Sequence, residues 1–253
     1  PGWWYFFPAA VLLKTPPGFV FLLLLAVLAR RRRGGTGGVL SGAMLIYGLV
    51  ACFWLRVPLG FRYILPMIPL IHLWVATRLT PVGRGWHHHA VLAGCVWFAV
   101  ASAWIHPHYL AYFNQFAGGP GHGYRHLVDS NLDWGQDLRE LKKYMEREGI
   151  DSIKLSYFGT ADPGQYGIRH EALPSFVPLI PTTAPCREIR KGDLVAVSAT
   201  NLYPLYVDLG PLAASLREMS PVGRAGYSIL IYRMNHDVRL GEREQVQPAR
   251  AGG

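Results

Sequence analysis

Acidic residues are missing from the first half of this chain: no aspartate or glutamate precedes Asp129. Carboxylate chemistry is therefore excluded from that half as it stands. Cysteine is also scarce, and three residues in 253 do not make a disulfide framework. The formal net charge of +9 comes mainly from arginines that flank apolar runs before Asp129. This arrangement is typical of membrane topology and disfavours nucleic acid as a partner.

Apolar segments dominate the first 106 residues, and a membrane helix needs roughly 20 such residues. Four segments are predicted to cross a membrane. They are a segment that ends at Ala29 and begins near Phe6 or at Thr15, and the segments 39–55, 63–79 and 90–105. The arginine run 30–33 marks a cytoplasmic loop, so the chain from His106 onward is predicted to be extracytoplasmic.

The second half has the mixed composition of a water-soluble domain. A helix is predicted from residue 132 or 133 to Glu148, with Asp133 as its N-cap and Gly149 as its end. Leu138, Leu141 and Met145 give this helix one apolar face. A second helix is predicted at 212–219, and residues 159–185 read as a long loop. Strands are predicted at 153–158, 194–199 and 227–232, which indicates a small α/β layer.

The predicted fold class is thus a membrane α-helical region with about four transmembrane helices, followed by a small extracytoplasmic α/β domain. The predicted domains are a transmembrane region at 1–106, an extracytoplasmic domain at 107–237 and a disordered tail at 238–253.

Several motifs make the chain similar to a known family. The most specific is 129–138 (DSNLDWGQDL), and 106–120 (HPHYLAYFNQFAGGP) precedes it. Weaker matches are 2–8 (GWWYFFP), 14–16 (KTP) and 62–69 (RYILPMIP). As far as about Tyr232, the chain resembles the C-terminal part of bacterial phospholipid-carrier-dependent glycosyltransferases. These are GT-C-type membrane enzymes related to the protein O-mannosyltransferase and aminoarabinose transferase group, with family 39-like features.

The resemblance implies transfer of a sugar from a polyprenyl-phosphate carrier to an extracytoplasmic acceptor. The implied partners are membrane lipid, the lipid-linked sugar, and an acceptor protein or glycolipid. In this family the catalytic carboxylate lies in the first outer loop, and no residue before Asp129 can supply it. We therefore expect the catalytic residue upstream of Pro1, and we expect this chain alone to be inactive.

Three cations are candidates for holding the lipid phosphate: Arg62 first, and then Lys14 and Arg56. All three are predicted to lie at the outer surface of the membrane. A leaving phosphate needs positive charge where its own charge develops, and arginine offers a bidentate fork. The alternative is that these side chains only extend from helix ends to the membrane surface.

The acidic motif offers candidates for contact with the sugar or the acceptor. Asp129, Asp133 and Asp137 have i, i+4, i+8 spacing and would share one face of a continuous helix. Asn131, Trp134 and Gln136 lie between them. The alternatives are a helix cap and turn with no ligand, or a divalent cation bound by oxygen atoms. No other cofactor is expected; the histidines at 106, 108, 122 and 126 are only a weak pattern for zinc.

Two other classes of protein remain as alternatives to a transferase. One is a non-catalytic, membrane-anchored module that binds glycan or protein. The other is a transporter or flippase, which the scarcity of charge inside the apolar segments disfavours.

Overall fold

The computed structural model describes residues 5–29, 35–54, 60–79, 85–175, 186 and 188–241. Within it the chain forms two compact units, Pro1–Asn131 (unit 1) and Leu132–Gly253 (unit 2). The boundary falls inside the 129–138 motif, so this motif contributes residues to both units. Residues 107–131, which the sequence assigned to the second domain, belong to unit 1 by their contacts.

Unit 1 is built from helices. Its α-helices are α1 (Phe6–Lys14), α2 (Pro17–Leu28), α3 (Gly35–Phe53), α4 (Met67–Leu79) and α5 (Trp86–Trp104). Short 3-10 turns follow, at Tyr109–Ala111, Gln115–Ala117, Pro120–Arg125 and Asp129–Asn131. Gly18 on α2 lies against the backbone of α5, where a Cβ would come within 2.5 Å of the Phe98 nitrogen. This close approach lets Phe19 and Leu22 of α2 pack with Val75 of α4 in one apolar cluster.

The prediction of four transmembrane helices is wrong. Among the described residues, no single helix is both long enough and apolar enough to cross a membrane. Helices α1 and α2 are long and apolar enough only when they are taken together. The chain bends by 112° between them. The break follows from proline, because Pro16 has an extended ψ of 136° and starts a new helix instead of continuing α1.

The predicted third crossing is shortened for a related reason. Residues Phe61–Ile64 form a 3-10 turn, and α4 begins only at Met67, after Pro66. The 13 residues of α4 extend about 20 Å, against the roughly 30 Å of a bilayer core. The arginine run 30–33, on which the predicted orientation depends, lies outside the described residues.

Unit 2 is an α/β layer, as predicted. Its helices are α6 (Leu138–Glu148) and α7 (Gly210–Glu218), and a 3-10 turn lies at Pro163–Tyr166. Its strands are β1 (Ile153–Ser156), β2 (His170–Ala172), β3 (Glu188–Ile189), β4 (Leu194–Ser198), β5 (Gly223–Ala225), β6 (Ile229–Arg233) and β7 (Val238–Arg239). The main sheet has the order β2-β1-β4-β6-β5, and β3 pairs with β7. Strand β1 is parallel to β2 and β4, whereas β6 is antiparallel to β4 and β5.

Most local predictions for unit 2 are confirmed. Strands β1, β4 and β6 and helix α7 lie where the sequence predicts them. Leu138, Leu141 and Met145 of α6 are buried against the sheet, and Gly149 ends the helix with φ of +64°. The predicted start of α6 is wrong, because residues 132–137 form a turn before it. Strand β2 lies inside the predicted loop. Its extended conformation depends on hydrogen bonds to β1 and not on a pattern in its own sequence.

The end of the chain also gains structure from pairing. Strand β7 lies within the predicted disordered tail and forms an antiparallel pair with β3. The tail from residue 242 onward lies outside the described residues.

The sheet connections position the candidate site. The chain leaves β1 for β2 on one side and later returns as β4 on the other side, with all three strands parallel. The carboxyl ends of β1 and β4 are therefore neighbours at a point where the strand order reverses. Crevices at such points are the usual ligand sites of α/β sheets.

Candidate functional site

Arg62 of unit 1 is an exposed residue of the 3-10 turn Phe61–Ile64. The 129–138 motif holds the start of that turn. The Asn131 side chain accepts a hydrogen bond from the Phe61 backbone N–H at 2.8 Å and donates to the Val128 carbonyl at 3.0 Å. Gly60, at φ of +99°, lies so close to Ser130 that a Cβ would approach its Oγ within 2.2 Å. Ser130 and Asn131 thus position the Arg62 turn rather than reach outward.

The guanidinium of Arg62 is exposed and suited to bind an anion. Its central carbon lies 5.4 Å from the centroid of the Tyr63 ring. The Tyr63 carbonyl in turn accepts a hydrogen bond from the Tyr47 hydroxyl at 2.5 Å. A guanidinium can bind two phosphate oxygens at once. Arg56, the third predicted phosphate-binding residue, lies outside the described residues.

Lys14 ends α1 and is half-buried, unlike the exposed Arg62. Its Nζ donates to the Leu110 carbonyl at 2.7 Å and lies 4.6 Å from the centroid of the Phe113 ring. Burial lowers the pKa of Lys14 to about 7. An anion that reached this amine would favour its charged form, so the site can respond to a phosphate.

The segment beside Lys14 is fixed by Asn114, which is 1 % exposed. Its Nδ2 donates to the carbonyls of Leu12 and Thr15 at 2.5 and 3.1 Å. Nearby along the chain, the hydroxyl of Tyr112 is buried and has no hydrogen-bond partner among the described residues. The end of α1 is therefore tied to the 109–117 segment by specific polar contacts.

The three aspartates of the motif do not share a helix face. Asp129 lies in a 3-10 turn with φ of +57°, Asp133 lies in the turn that follows, and Asp137 immediately precedes α6. The predicted N-cap role of Asp133 is wrong as well. Its buried carboxylate accepts hydrogen bonds from the Gly135 N–H at 2.9 Å and the Thr200 hydroxyl at 3.3 Å. Asp133 therefore ties its own turn to the end of β4.

Asp137 is the second buried carboxylate of unit 2. Its Oδ2 accepts hydrogen bonds from the backbone N–H of Tyr227 and of Ser228, both at 3.0 Å, and from the Ser228 hydroxyl at 2.9 Å. Gly226 lies against it with φ of +57°, and a Cβ there would come within 2.2 Å of the Asp137 Cγ. Asp137 thus fastens the β5–β6 turn to the start of α6.

Burial controls the charge of Asp133. It raises the pKa of Asp133 to about 7, and the nearby Asp137 adds to the rise, while the bonds from Gly135 and Thr200 oppose it. Burial also raises the pKa of the Tyr157 hydroxyl, which donates to the Gly135 carbonyl at 2.5 Å. Both buried carboxylates of unit 2, Asp133 and Asp137, thus accept hydrogen bonds from protein donors.

Trp134 and Gln136 complete this turn. The Gln136 side chain accepts from the Trp134 N–H at 2.8 Å and donates to the Leu132 carbonyl at 2.9 Å. Gly135, at φ of +72°, packs on the end of β1, where a Cβ would lie 2.7 Å from the Phe158 carbonyl oxygen. The turn is thus rigidly held while Trp134 stays 55 % exposed.

Polar residues at the carboxyl ends of β1 and β4 were missed by sequence reasoning. The Ser198 hydroxyl accepts from the Phe158 N–H at 3.0 Å, and the Ser156 hydroxyl accepts from the Asn201 amide at 3.1 Å. The Asn201 Oδ1 is buried without a partner among the described residues. The polar residues that directly follow the apolar run of β4 were the available signal.

Three of the histidines in the weak zinc pattern of unit 1 contact protein groups. His106 contacts the Tyr109 hydroxyl at 3.1 Å, and His122 and His126 contact backbone carbonyls at 2.9 and 3.2 Å. In the described ranges, no group of three or more histidine, cysteine, aspartate or glutamate residues could hold a metal ion.

Comparison of the chain with protein-family models, curated proteins and solved structures gave no match. The motifs and the geometry described above are therefore the support for any function.

Proposed function

We propose that the chain is the C-terminal part of a polyprenyl-phosphate-sugar-dependent glycosyltransferase that works at a membrane, with unit 2 on the extracytoplasmic side. One observation carries the proposal. The most specific motif of the resemblance, through Ser130 and Asn131, positions the turn that presents Arg62. A specific motif that holds the turn of an exposed arginine in place is expected if that arginine binds a ligand.

The chemistry of sugar transfer accounts for this arginine. When the glycosyl bond breaks, negative charge develops on the carrier phosphate, and a cation held in place stabilises it. Arg62 is exposed and can bind two phosphate oxygens. Its turn gains further order from Ile64, which packs with Phe7 of α1 in one apolar cluster.

Lys14 is the second proposed phosphate ligand. It lies at the end of the same helix, α1, that packs on the Arg62 turn. With its pKa lowered to about 7 by burial, the amine gains charge when an anion approaches. We assign Lys14 the role of a second, responsive cation in addition to Arg62.

Exposed apolar side chains on unit 1 support the proposal that the protein functions at a membrane. Leu28 on α2, Trp104 on α5 and Phe53 on α3 are 79 %, 84 % and 72 % exposed. Leu45, Ile46, Leu73, Leu92, Val96 and Val100 are also exposed. An apolar surface of this extent is typical of proteins that contact lipid or another protein.

The test of the proposal is binding of polyprenyl phosphate by the purified full chain, measured by native mass spectrometry and by co-sedimentation with liposomes. We expect wild type to prefer polyprenyl phosphate to polyprenol. Arg62→Ala should weaken binding at least tenfold, and Arg62→Lys should weaken it less because the charge stays. Arg147→Ala, which removes an exposed arginine of unit 2, is the matched control. Equal binding by Arg62→Ala and wild type would contradict the proposal.

Catalysis is tested separately, because the catalytic carboxylate is expected upstream of Pro1. Reading the DNA upstream of Pro1 shows whether an acidic outer loop follows an apolar segment there. Transfer from polyprenyl-phosphate sugars is then assayed with the product of the whole reading frame. Absence of transfer under conditions where the carrier binds would argue against an enzyme.

A non-catalytic glycan- or protein-binding module is the second candidate function. The exposed Trp134 on a rigidly held turn favours it, since aromatic side chains of this kind are frequent in binding surfaces. Saccharide binding without any preference for polyprenyl phosphate would support this candidate over the transferase.

A further inference from the structure

The carboxyl ends of β1 and β4 in unit 2 combine features of a ligand site. Strand β1 lies between the parallel strands β2 and β4, so the strand order reverses there. Ligands of α/β sheets bind in the crevice outside such strand ends. The polar groups and aromatic rings at this place indicate which kind of ligand fits.

Asn201 has an acceptor that the described protein leaves unused. The Ser156 hydroxyl donates its single proton to the Pro174 carbonyl at 2.7 Å, so it can only accept from Asn201. This fixes the Asn201 Nδ2 toward Ser156 and leaves Oδ1 as an acceptor on the other side of the amide. Asn201 is 1 % exposed, and its Oδ1 has no partner among the described residues.

An unpaired buried acceptor is energetically unfavourable, and a ligand that donates a hydrogen bond would remove that cost. A hydroxyl group supplies that donor, whereas an anion without a proton cannot. The next residue, Thr200, already donates to Asp133 at 3.3 Å, so polar contacts continue along the strand ends.

Aromatic side chains accompany these polar groups. The rings of Phe158, just after β1, and Tyr206, after β4, are stacked with centroids 5.7 Å apart. Trp134 is exposed on the turn whose Gly135 packs against the Phe158 carbonyl. Aromatic faces together with a few fixed polar groups suit a ligand with both apolar and hydroxylated surfaces, as a sugar ring has.

We propose that the carboxyl ends of β1 and β4 bind a pyranose ring, with the Asn201 Oδ1 accepting a sugar hydroxyl and Trp134 covering an apolar face of the ring. This inference deepens the proposed function and rests on it for the source of the sugar, the carrier or the acceptor. Binding of the ring itself does not require transfer or a lipid.

The test uses the purified full chain and soluble methyl glycosides of hexoses and pentoses, measured by saturation-transfer NMR and calorimetry. Cyclohexylmethanol serves as a probe with one hydroxyl and no sugar ring. We expect at least one glycoside to bind more tightly than cyclohexylmethanol. Trp134→Ala and Asn201→Leu should each weaken that binding at least tenfold. Trp104→Ala, which removes a still more exposed tryptophan from unit 1, should leave it unchanged.

Two results would overturn the site: no glycoside binds better than cyclohexylmethanol, or the tightest glycoside binds Trp134→Ala as well as wild type. The second result decides even if Asn201→Leu fails to fold, since the Trp134 side chain is exposed and its replacement is tested separately. If the Asn201 Oδ1 binds only an ordered water, no glycoside will bind better than cyclohexylmethanol, which is the first result.

The same samples separate this inference from the proposed function. Glycoside binding that persists in a chain without preference for polyprenyl phosphate contradicts the transferase and keeps the sugar site. Binding of polyprenyl phosphate that depends on Arg62, with no glycoside binding, contradicts the sugar site and keeps the proposed function.

Discussion

The Asp137 carboxylate binds both the backbone N–H and the hydroxyl of Ser228, at 3.0 and 2.9 Å. These residues are separated by 91 positions in the chain, and both are buried. The contact joins the start of α6 to the start of the β6 segment. It explains why a carboxylate is buried in unit 2: Asp137 accepts hydrogen bonds from donors that the sheet leaves unpaired.

Removal of this carboxylate should destabilise unit 2. Asp137→Ala leaves the N–H groups of Tyr227 and Ser228 and the Ser228 hydroxyl without their acceptor. Unpaired buried donors cost about 1–3 kcal/mol each, with partial relief from water, so we expect a loss of roughly 3 kcal/mol. Urea unfolding of the full chain measures it. Asp151→Ala, at an exposed aspartate, should change stability by less than about 0.5 kcal/mol; equal effects of the two variants would contradict the role of Asp137.

Asp133 should make the stability of unit 2 depend on pH. Burial raises its pKa from 3.8 to about 7, so at intermediate pH the folded state keeps a proton that the unfolded state releases. Stability from this group is therefore full below pH about 4 and is lost as the pH rises through about 7. At about 1.4 kcal/mol per pH unit, the loss is at most about 4 kcal/mol.

Asp133→Asn should remove that dependence, because asparagine does not titrate and keeps an oxygen for the Gly135 N–H. The free energy of unfolding, measured in urea at pH 4.5 and pH 8, should fall less between the two values in the variant than in wild type. Identical falls would show that Asp133 does not titrate in this range.

Gly135 should be irreplaceable for steric reasons. At φ of +72°, a Cβ would lie 2.3 Å from the Tyr157 hydroxyl and 2.7 Å from the Phe158 carbonyl. Gly149, at φ of +64°, has open space around its Cβ position and is the matched control. Gly149→Ala should cost about 1 kcal/mol from backbone strain alone, whereas Gly135→Ala should cost at least about 2 kcal/mol more. Similar unfolding midpoints for the two variants would refute the close packing.

Asn131 should act on phosphate binding through Arg62. Asn131→Ala removes the acceptor of the Phe61 N–H and frees the turn that presents Arg62. If the proposed function is correct, the apparent Kd for polyprenyl phosphate should rise about tenfold. Asn131→Asp, which keeps an acceptor oxygen, should weaken binding less. An unchanged Kd in Asn131→Ala, or equal losses in both variants, would separate this residue from the phosphate site.

Local patterns were sufficient for several elements. The apolar spacing of Leu138, Leu141 and Met145, closed by Gly149, predicted α6 and the face that it buries. The apolar runs around Val195 and Ile231 predicted strands, which the structure shows as β4 and β6. Such features depend on residues close in the chain, so they can be read without the fold.

Hydropathy alone misled in unit 1. The segment from Phe6 to Ala29 has the composition of a crossing, but the chain turns by 112° at Pro16. Composition averages over a window and does not register where a helix breaks, whereas a single proline changes the direction of the backbone.

By itself, the sequence determined the helical nature of the first unit, the α/β nature of the second, and the motif that suggests a transferase. Only the tertiary structure decided that Asn131 supports the Arg62 turn, that Thr200 binds Asp133, and that Asn201 keeps a buried acceptor. The reason is physical: side-chain periodicity is a property of neighbouring residues. A hydrogen-bond partner 67 or 70 positions away is set by how the chain folds back on itself.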